Sequence, residues 1–204
     1  MSRCPKLVFT IVLFMALSSN GLAQRYRVGF FLNAAGFFPA QKNIENGFGS
    51  GLGAVFNINQ NVSLSFEWKY SRFSVDKKEG EFLNGTLTMT PLLASIHYKF
   101  KTGTIFSPYI FGGGGVFFNT ISVDERVSPE DQNVKKQEIK NGLGFFGGFG
   151  SSFKINQRIS LYIESLYLIR EAKVETVFID NSPGNPFNAN LRAFSVLIAL
   201  EYLY

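Results

Sequence analysis

Residues 148–167, GFGSSFKINQRISLYIESLY, constrain the fold more than any other stretch of the sequence. Apolar side chains alternate with small or polar ones on both sides of the turn Asn156-Gln157-Arg158. A period of two is typical of β-strands, and so short a polar turn joins two strands into a hairpin. The same pattern recurs at residues 51–70, where ten of twenty positions are identical. The sequence therefore predicts a β-protein built from amphipathic hairpins.

The N-terminus has the pattern of a secretory signal peptide. Two basic residues precede an apolar run at residues 7–17, and small residues lead up to Ala23. A transmembrane anchor is the alternative, but the run is too short to cross a bilayer as a helix. We expect residues 1–23 to be the signal peptide and residues 24–204 to be the mature domain. The only cysteine, Cys4, would leave with the signal.

The composition favours an all-β protein. The sequence has 23 phenylalanines and 20 glycines, and aromatic residues favour strands while glycine disfavours helices. The formal net charge of +5 is spread along the chain without a basic run interleaved with aromatics, so nucleic-acid binding is not expected. Beyond the signal, no segment approaches the ~20 apolar residues of a membrane helix. A mature chain that spans a membrane must therefore do so as a closed barrel.

Eight alternating segments are predicted as strands. They comprise residues 25–37, 47–58, 62–75, 87–100, 109–121, the two arms of the 148–167 hairpin, and 190–204. The connections are short after the second, fourth and sixth segments and long or charged after the others. This alternation is typical of a meander through a membrane, with turns on the periplasmic side and loops outside. The predicted fold is an all-β, eight-stranded, antiparallel, up-and-down transmembrane β-barrel.

The apolar faces of these strands are predicted to meet lipid. One face carries Val, Leu, Phe, Trp, Ile and Tyr, and the other carries mostly Gly, Ser and charged residues. The alternative is a soluble, lipocalin-like barrel with its apolar faces inside. An eight-stranded interior is only wide enough for side chains, and rows of Phe and Trp from every strand would overfill it. We therefore expect the apolar rows to face outward.

A set of charged residues is predicted to point into the lumen. Its members are Glu67, Lys69, His97, Lys99, Glu164 and Glu201. Charges inside so narrow a barrel must be paired or hydrated. We interpret them as a structural plug of the lumen, with a gated pathway for small ions as the alternative.

The sequence gives no support for an enzyme or a bound cofactor. His97 is the only histidine, and Ser95 is two residues away on the same face, so the two could touch. A lipid-modifying barrel would need such a pair, but a single histidine without a second signature does not define an active site. Metal-ligand spacing is absent, and the acidic residues within 122–140 are interpreted as a solvated loop. We expect no catalytic residues, no cofactor and no metal.

Taken whole, the mature chain resembles the small outer-membrane β-barrel domain family of the OmpA and OmpX type. The resemblance lies in the signal peptide, the eight alternating strands, the glycine- and aromatic-rich strands, and the terminal aromatic strand. It implies a Gram-negative bacterial outer-membrane location and contact with outer-membrane lipid. It also implies recognition by the barrel assembly machinery, for which Tyr202 and Tyr204 would form the C-terminal signal. The resemblance does not extend to a C-terminal peptidoglycan-binding domain, which is not expected here, so tethering of the cell wall is not implied.

The long connections are the predicted functional surface. Residues 76–85, 122–140 and 171–189 are where an unidentified extracellular ligand would dock. The first interpretation is a structural or adhesion-like role through these loops. A narrow, porin-like pore for ions or small solutes is the alternative, and a lipid-modifying enzyme or a lipocalin-like binder is less favoured.

Overall fold

The protein, seen in a computed structural model, consists of β-strands and their connections in the residues described, which are 27–76, 84–123, 134–179 and 184–204. The predicted signal peptide, residues 1–23, lies outside them. The strands are β1 (Arg27–Pro39), β2 (Gly47–Asn57), β3 (Val62–Val75), β4 (Gly85–Lys99), β5 (Phe106–Val123), β6 (Val134–Ile139), β7 (Gly142–Lys154), β8 (Ile159–Ile169), β9 (Glu171–Phe178), β10 (Phe187–Asn190) and β11 (Ala193–Leu203). Within these ranges, no helix is long and apolar enough to cross a membrane.

Eight of the strands close into an antiparallel barrel in the order β1-β2-β3-β4-β5-β7-β8-β11. Pairing of β1 with β11 completes the ring, from Gly29 opposite Leu203 to Pro39 opposite Ala193. The ends of the barrel chain are therefore neighbours, and the Tyr204 backbone N–H donates to the Val28 carbonyl at 2.9 Å. The predicted eight-stranded antiparallel barrel is confirmed.

The apolar faces of the barrel strands point outward. Phe48 is 81% exposed, Leu32 67% and Phe149 65%. The alternating burial of each strand places the glycine- and serine-containing faces inside. The soluble alternative with its apolar rows inside is wrong, because these rows would have to be buried.

Three short connections, residues 58–61, 100–105 and 155–158, lie at one end of the barrel, which we call the turn end. In two of them an asparagine side chain organises the turn. The Oδ1 atoms of Asn59 and Asn156 each accept hydrogen bonds from the backbone N–H groups two and three residues further on, all at 2.8 Å. The identical Asn-Gln pair in the two hairpins thus has the same structural role.

The two similar hairpins lie four strands apart in the ring. β2 and β3 are its second and third strands, and β7 and β8 are its sixth and seventh. In a ring of eight, rotation by half a turn about the barrel axis relates one hairpin to the other. Pairing with the following strand is also equivalent, since Val62 lies opposite Tyr98 and Ile159 opposite Tyr202. The barrel consists of two similar four-stranded halves.

Strands β6, β9 and β10 form a second, three-stranded sheet at the end opposite the turns, in the order β10-β9-β6. We call it the small sheet, and it continues three adjacent barrel strands. Two residues separate β6 from β7, one residue separates β8 from β9, and two residues separate β10 from β11. The prediction of loops over 122–140 and 171–189 is wrong where these ranges contain β6, β9 and β10, and residues 124–133 lie outside the described residues. The prediction of one unbroken strand over 190–204 is wrong at residues 191–192.

The small sheet forms because its inner face is apolar. Ile139, Ala172, Val174 and Ala189 are buried with one polar residue, Gln137, whereas the alternate residues of β6 and β9 are mostly charged and exposed. The charged outer faces give these segments a polar composition that resembles a loop. Burial of the alternate residues stabilises them as strands.

Candidate functional site

The turn-end half of the lumen encloses a cavity of about 40 Å³. Three buried polar atoms of its lining residues, Asn33 Oδ1, Ser63 Oγ and Glu201 Oε1, have no hydrogen-bond partner among the described residues. The cavity is large enough for one or a few water molecules, which would satisfy such atoms. All six predicted lumen residues line it: Glu67, Lys69, His97, Lys99, Glu164 and Glu201.

Glu67 and Lys69 make the direct ion pair of this cavity. The Glu67 Oε1 atom lies 3.0 Å from the Lys69 Nζ atom, and the Asn33 side-chain amide donates to the same carboxylate oxygen. Their side chains are 12% and 5% exposed. Gly53 and Gly51 lie opposite them on β2, and Gly51 leaves room for Lys69, because a Cβ atom there would lie 2.8 Å from Lys69 Cγ. Each charged side chain needs the other as its counter-charge, because a buried charge without a partner destabilises the folded protein.

Phenol groups bind the other two carboxylates. Tyr109 donates to Glu164 Oε1 at 2.6 Å, and Tyr162 donates to Glu201. The Lys99 Nζ atom donates to the Tyr162 hydroxyl at 3.2 Å and lies 5.2 Å from the centroid of that ring. Lys99, Tyr162 and Glu201 therefore form one hydrogen-bonded chain across three strands.

His97 lies against two serines of the same cavity. Its Nε2 atom is 2.8 Å from Ser95 Oγ and 3.1 Å from Ser65 Oγ, and its ring stacks on Phe111 with centroids 5.1 Å apart. In the described part of the chain, no carboxylate contacts the imidazole. A hydrolytic triad needs a third group that orients the histidine, and this site lacks one among those residues.

The loop-end half of the lumen is filled with apolar side chains, which we call the apolar plug. Phe37 and Phe73 meet edge to face there, with ring centroids 5.6 Å apart. The inner face of the small sheet joins the same cluster through Ile139, Val174 and Ala189. The expectation of a lumen lined by Gly, Ser and charge is therefore correct only for the turn-end half. The plug consists of Ala35, Phe37, Phe73, Leu87, Met89, Leu93, Phe117 and Leu168, and of Phe111, Phe146, Leu166 and Leu197 at its boundary with the cavity, which these four also line.

Inward-facing glycines provide the space for the large lumen side chains. A Cβ atom on Gly144 would lie 2.7 Å from the Phe117 ring, and one on Gly150 would lie 2.7 Å from the Tyr109 ring. Real Cβ atoms do not approach a ring so closely, so the rings occupy the volume that glycine leaves free. Phe, Tyr and Gly thus fill the lumen together.

A buried arginine joins the barrel to the small sheet. Arg170 is 2% exposed and lies between β8 and β9. Its guanidinium donates to Asn119 Oδ1 at 2.8 Å and to the Lys140 carbonyl at 3.2 Å, and it lies 4.6 Å from the centroid of the Phe117 ring. Arg170 therefore connects three parts of the molecule, namely strand β5, the two residues just before β7 and the loop-end side of the apolar plug.

The outer face of the small sheet carries paired, exposed charges. Glu175 lies 2.8 Å from Lys140 and 3.3 Å from Lys173, and Glu138 lies 2.5 Å from Lys136. The hydrogen bond from Lys140 lowers the pKa of Glu175, and the same contact raises the pKa of Lys140. The hydrogen bond from Lys136 lowers the pKa of Glu138. This face presents alternating charges rather than a patch of one sign.

Four residues of the site were not identified from the sequence as functional. The phenols of Tyr109 and Tyr162 lie on the faces that the strand alternation assigns to the lumen, so a signal for them was present. Asn33 lies on the inner face of β1 by the same alternation. Arg170 lies just past the predicted hairpin, and nothing in its local sequence indicates burial.

Comparisons with known proteins agree with this architecture. A family model described as the outer membrane protein beta-barrel domain matches residues 7–193. The chain belongs to this family. The comparison with curated protein sequences gives no match.

Solved structures of outer-membrane barrels have the same fold. OprG from Pseudomonas aeruginosa is 16% identical with a TM-score of 0.62, covering 88% of this chain and 94% of OprG. Neisserial surface protein A is 15% identical with a TM-score of 0.54, covering 87% and 96%. A major outer membrane protein from Thermus thermophilus is 13% identical with a TM-score of 0.53, covering 87% and 99%. At these identities the likeness shows the fold.

Family membership identifies the solvent of the outward face as lipid. The protein is a bacterial outer-membrane barrel, and its exposed rows of Phe, Leu and Ile meet the hydrocarbon. Tyr98, Tyr202 and Tyr204 face outward near the turn end, at the level where aromatic belts meet the membrane surface. Recognition of Tyr202 and Tyr204 by the assembly machinery stays a prediction. No group of three or more metal-ligating side chains occurs in the ranges that the structure describes.

Proposed function

We propose that this outer-membrane barrel does not conduct and acts at the cell surface through its small sheet and loops. The observation that carries the proposal is the apolar plug, which fills the loop-end half of the lumen and continues into the small sheet. A pore for ions needs a continuous polar path, and packed phenylalanine rings exclude water from this half. The exposed, alternating charges of the small sheet then form a surface that is suited to polar partners.

Conductance of the purified protein in planar bilayers tests the first half of the proposal. We expect wild type to give no unitary current steps above the bare membrane. Phe111→Ala combined with Phe117→Ala should produce measurable steps, because it removes two rings of the plug. Discrete steps from wild type would contradict the proposal.

Adherence of cells that display the protein tests the second half. The probes are surfaces coated with a sulfated polysaccharide, with polylysine, or left neutral. We expect adherence above that of cells without the protein on at least one surface, and its loss when Lys136, Glu138, Lys173 and Glu175 are all replaced by serine. Substitution on the outer face leaves the buried inner face unchanged. Adherence equal to that of cells without the protein on all three surfaces would contradict the proposal.

A narrow pore for small ions is the second candidate. It is supported by the charged cavity that Glu67, Lys69 and Glu164 line in the turn-end half, which is large enough for water. If wild type conducts, Glu67→Gln with Glu164→Gln should change its ion selectivity. An unchanged selectivity would exclude a path through this cavity.

We infer that the protein has no enzymatic activity. The Ser95–His97 contact lies inside the lumen, between the polar cavity and Phe111 of the plug, where a lipid substrate has no access. Lipid A from cells that express wild type should have the same mass spectrum as lipid A from cells that express His97→Ala. A mass difference between them would contradict the inference.

A further inference from the structure

Charges are segregated between the two ends of the barrel. The turns at residues 58–61, 100–105 and 155–158 contain no Asp or Glu. Lysine and arginine do occur there, as Lys101, Lys154 at the end of β7, and Arg158. The described Asp and Glu side chains lie in the lumen or at the loop end. The turn end therefore presents a positive rim.

Two of these cations line an open groove beside the last strand. The groove, about 440 Å³ in volume, is formed by Lys154, Gln157, Arg158, Leu203 and Tyr204. In the described chain, neither cation has a carboxylate within ion-pair distance. One guanidinium nitrogen of Arg158 donates to the hydroxyl of Tyr202 at 3.3 Å, which holds this side chain along the groove. Two unneutralised cations beside an exposed phenol are suited to a phosphate group.

A second groove occupies the equivalent place in the other half of the barrel. It has a volume of about 500 Å³ and lies between the β2–β3 turn and the end of β4, with Tyr98 and Lys101 on its wall. Tyr98 corresponds to Tyr202 under the half-turn that relates the two hairpins. The Lys101 ammonium donates to the Gln60 side chain of the turn. The second groove thus has one cation and an outward-facing tyrosine, whereas the first has two cations.

Exposed apolar side chains next to the cations indicate a lipid rather than a soluble ligand. Ile155 follows Lys154 in sequence, and the Ile105 carbonyl accepts the backbone N–H of Lys154 at 2.9 Å. These two isoleucines are 60% and 71% exposed, and Tyr204 is 83% exposed. Apolar side chains directly beside cations match the boundary between acyl chains and headgroups. We propose that each groove binds the phosphate of an anionic phospholipid in the leaflet at the turn end, which is the periplasmic leaflet in the predicted orientation. The proposal needs a membrane barrel, but it does not depend on a role in adhesion.

Lipid retention by the folded protein in detergent tests this inference. The protein is mixed with equal amounts of phosphatidylglycerol and phosphatidylcholine, and bound lipids are counted by native mass spectrometry. Wild type should retain phosphatidylglycerol preferentially, at up to two molecules. A cation near an anionic lipid surface contributes about fivefold in affinity, so Lys154→Gln with Arg158→Gln should weaken one of the two sites about 25-fold. Adding Lys101→Gln should weaken the second site about fivefold.

The matched control is Lys173→Gln with Arg192→Gln, which removes the same charge at the loop end. It should leave lipid retention unchanged. Equal retention of both lipids by wild type would overturn the inference. An equal loss of phosphatidylglycerol in the rim variant and the control variant would also overturn it. The difference in gel migration between boiled and unboiled samples reports separately that each barrel is folded.

Discussion

Glu67 and Glu164 occupy equivalent positions on opposite walls of the barrel, but the first binds an ammonium group and the second binds a phenol. Each lies opposite a glycine of the neighbouring strand, Gly53 or Gly150. Lys69 is 3.0 Å from Glu67, whereas Tyr109 donates to Glu164 at 2.6 Å. The two halves of the barrel have the same strand arrangement and an equivalent carboxylate. They differ in that the carboxylate binds a charged group in one half and a neutral group in the other.

This difference predicts unequal effects of the same substitution. Glu67→Gln should lower the free energy of unfolding by about 3 kcal/mol, because it leaves the buried Lys69 without its counter-charge. Glu164→Gln should lower it by about 1 kcal/mol, because an amide oxygen still accepts from Tyr109. Urea unfolding in lipid vesicles measures both. Adding Lys69→Met to Glu67→Gln should recover most of the loss, and equal losses for the two single variants would contradict the assignment of partners.

The two asparagine turns should contribute equally to stability. Asn59→Ala or Asn156→Ala removes two hydrogen bonds to backbone N–H groups and should lower the free energy of unfolding by about 1 kcal/mol. Gln157→Ala is the control, since that exposed side chain makes no such bonds to the turn. If the asparagine variants and this control unfold at the same urea concentration, the turn role is wrong.

Adjacent glycines on β7 should respond oppositely to alanine. A Cβ on outward-facing Gly147 would have its nearest neighbour, the Phe111 carbonyl oxygen, at 3.7 Å, so Gly147→Ala should be neutral. A Cβ on inward-facing Gly148 would collide with the Ser165 carbonyl oxygen, so Gly148→Ala should lower the free energy of unfolding by about 1–3 kcal/mol. Comparison of the two unfolding midpoints is the measurement. A larger loss for Gly147→Ala would reverse the assignment of faces.

Arg170 should hold the small sheet on the barrel. Arg170→Met removes charged hydrogen bonds to Asn119 and to the Lys140 carbonyl, and should speed tryptic cleavage after Lys140 and Lys173 at least about tenfold. The barrel itself should keep its gel migration. Arg192→Gln, which breaks an exposed ion pair with Glu171, should have little effect on cleavage. Equal protease resistance of wild type and Arg170→Met would show that other contacts hold the sheet.

The ion pairs of the small sheet predict that the stability of this sheet depends weakly on pH. Glu138 and Glu175 have lowered pKa values because lysines donate hydrogen bonds to them. Their stabilisation is therefore present above the unfolded pKa of about 4.3 and is lost as the pH falls through the lower folded pKa. Lys140 has a raised pKa, so its contribution is lost as the pH rises through that value.

Carboxyl chemical shifts followed by NMR during acid titration measure this effect. The titration of Glu175 should move toward its ordinary pKa in Lys140→Gln. It should also do so in high salt, because these exposed charges are screened. A Glu175 titration midpoint that is the same in wild type and Lys140→Gln would contradict the pairing.

The strand alternation was enough to predict the barrel and the direction of the side chains on four of its strands. The faces of β2, β3, β7 and β8 follow directly from a period of two, and closure follows because lipid leaves no solvent for an unpaired strand edge. The six charged residues of the lumen were found in the same way. Their partners could not be found, because contact between Glu164 and Tyr109 depends on the register of strands that are distant in sequence.

The small sheet could not be predicted from local sequence. Val134–Ile139 has four polar residues in six, and its strand conformation depends on pairing with β9 about forty residues away. The apolar plug was missed for a related reason. Phe111, Phe117 and Phe146 are phenylalanines like those on the lipid face, and their direction is determined only by the position of each residue within its strand.

The backbone hydrogen bond from the Tyr204 N–H to the Val28 carbonyl makes the two ends of the barrel chain neighbours. The ring therefore has no topological first strand. A circularly permuted chain, with residues 28 and 204 joined and new ends at 102–104, would give every strand the same neighbours in the same directions. The two four-stranded halves would only exchange their order of synthesis. Pairing around the ring thus specifies the barrel independently of the strand at which the chain begins.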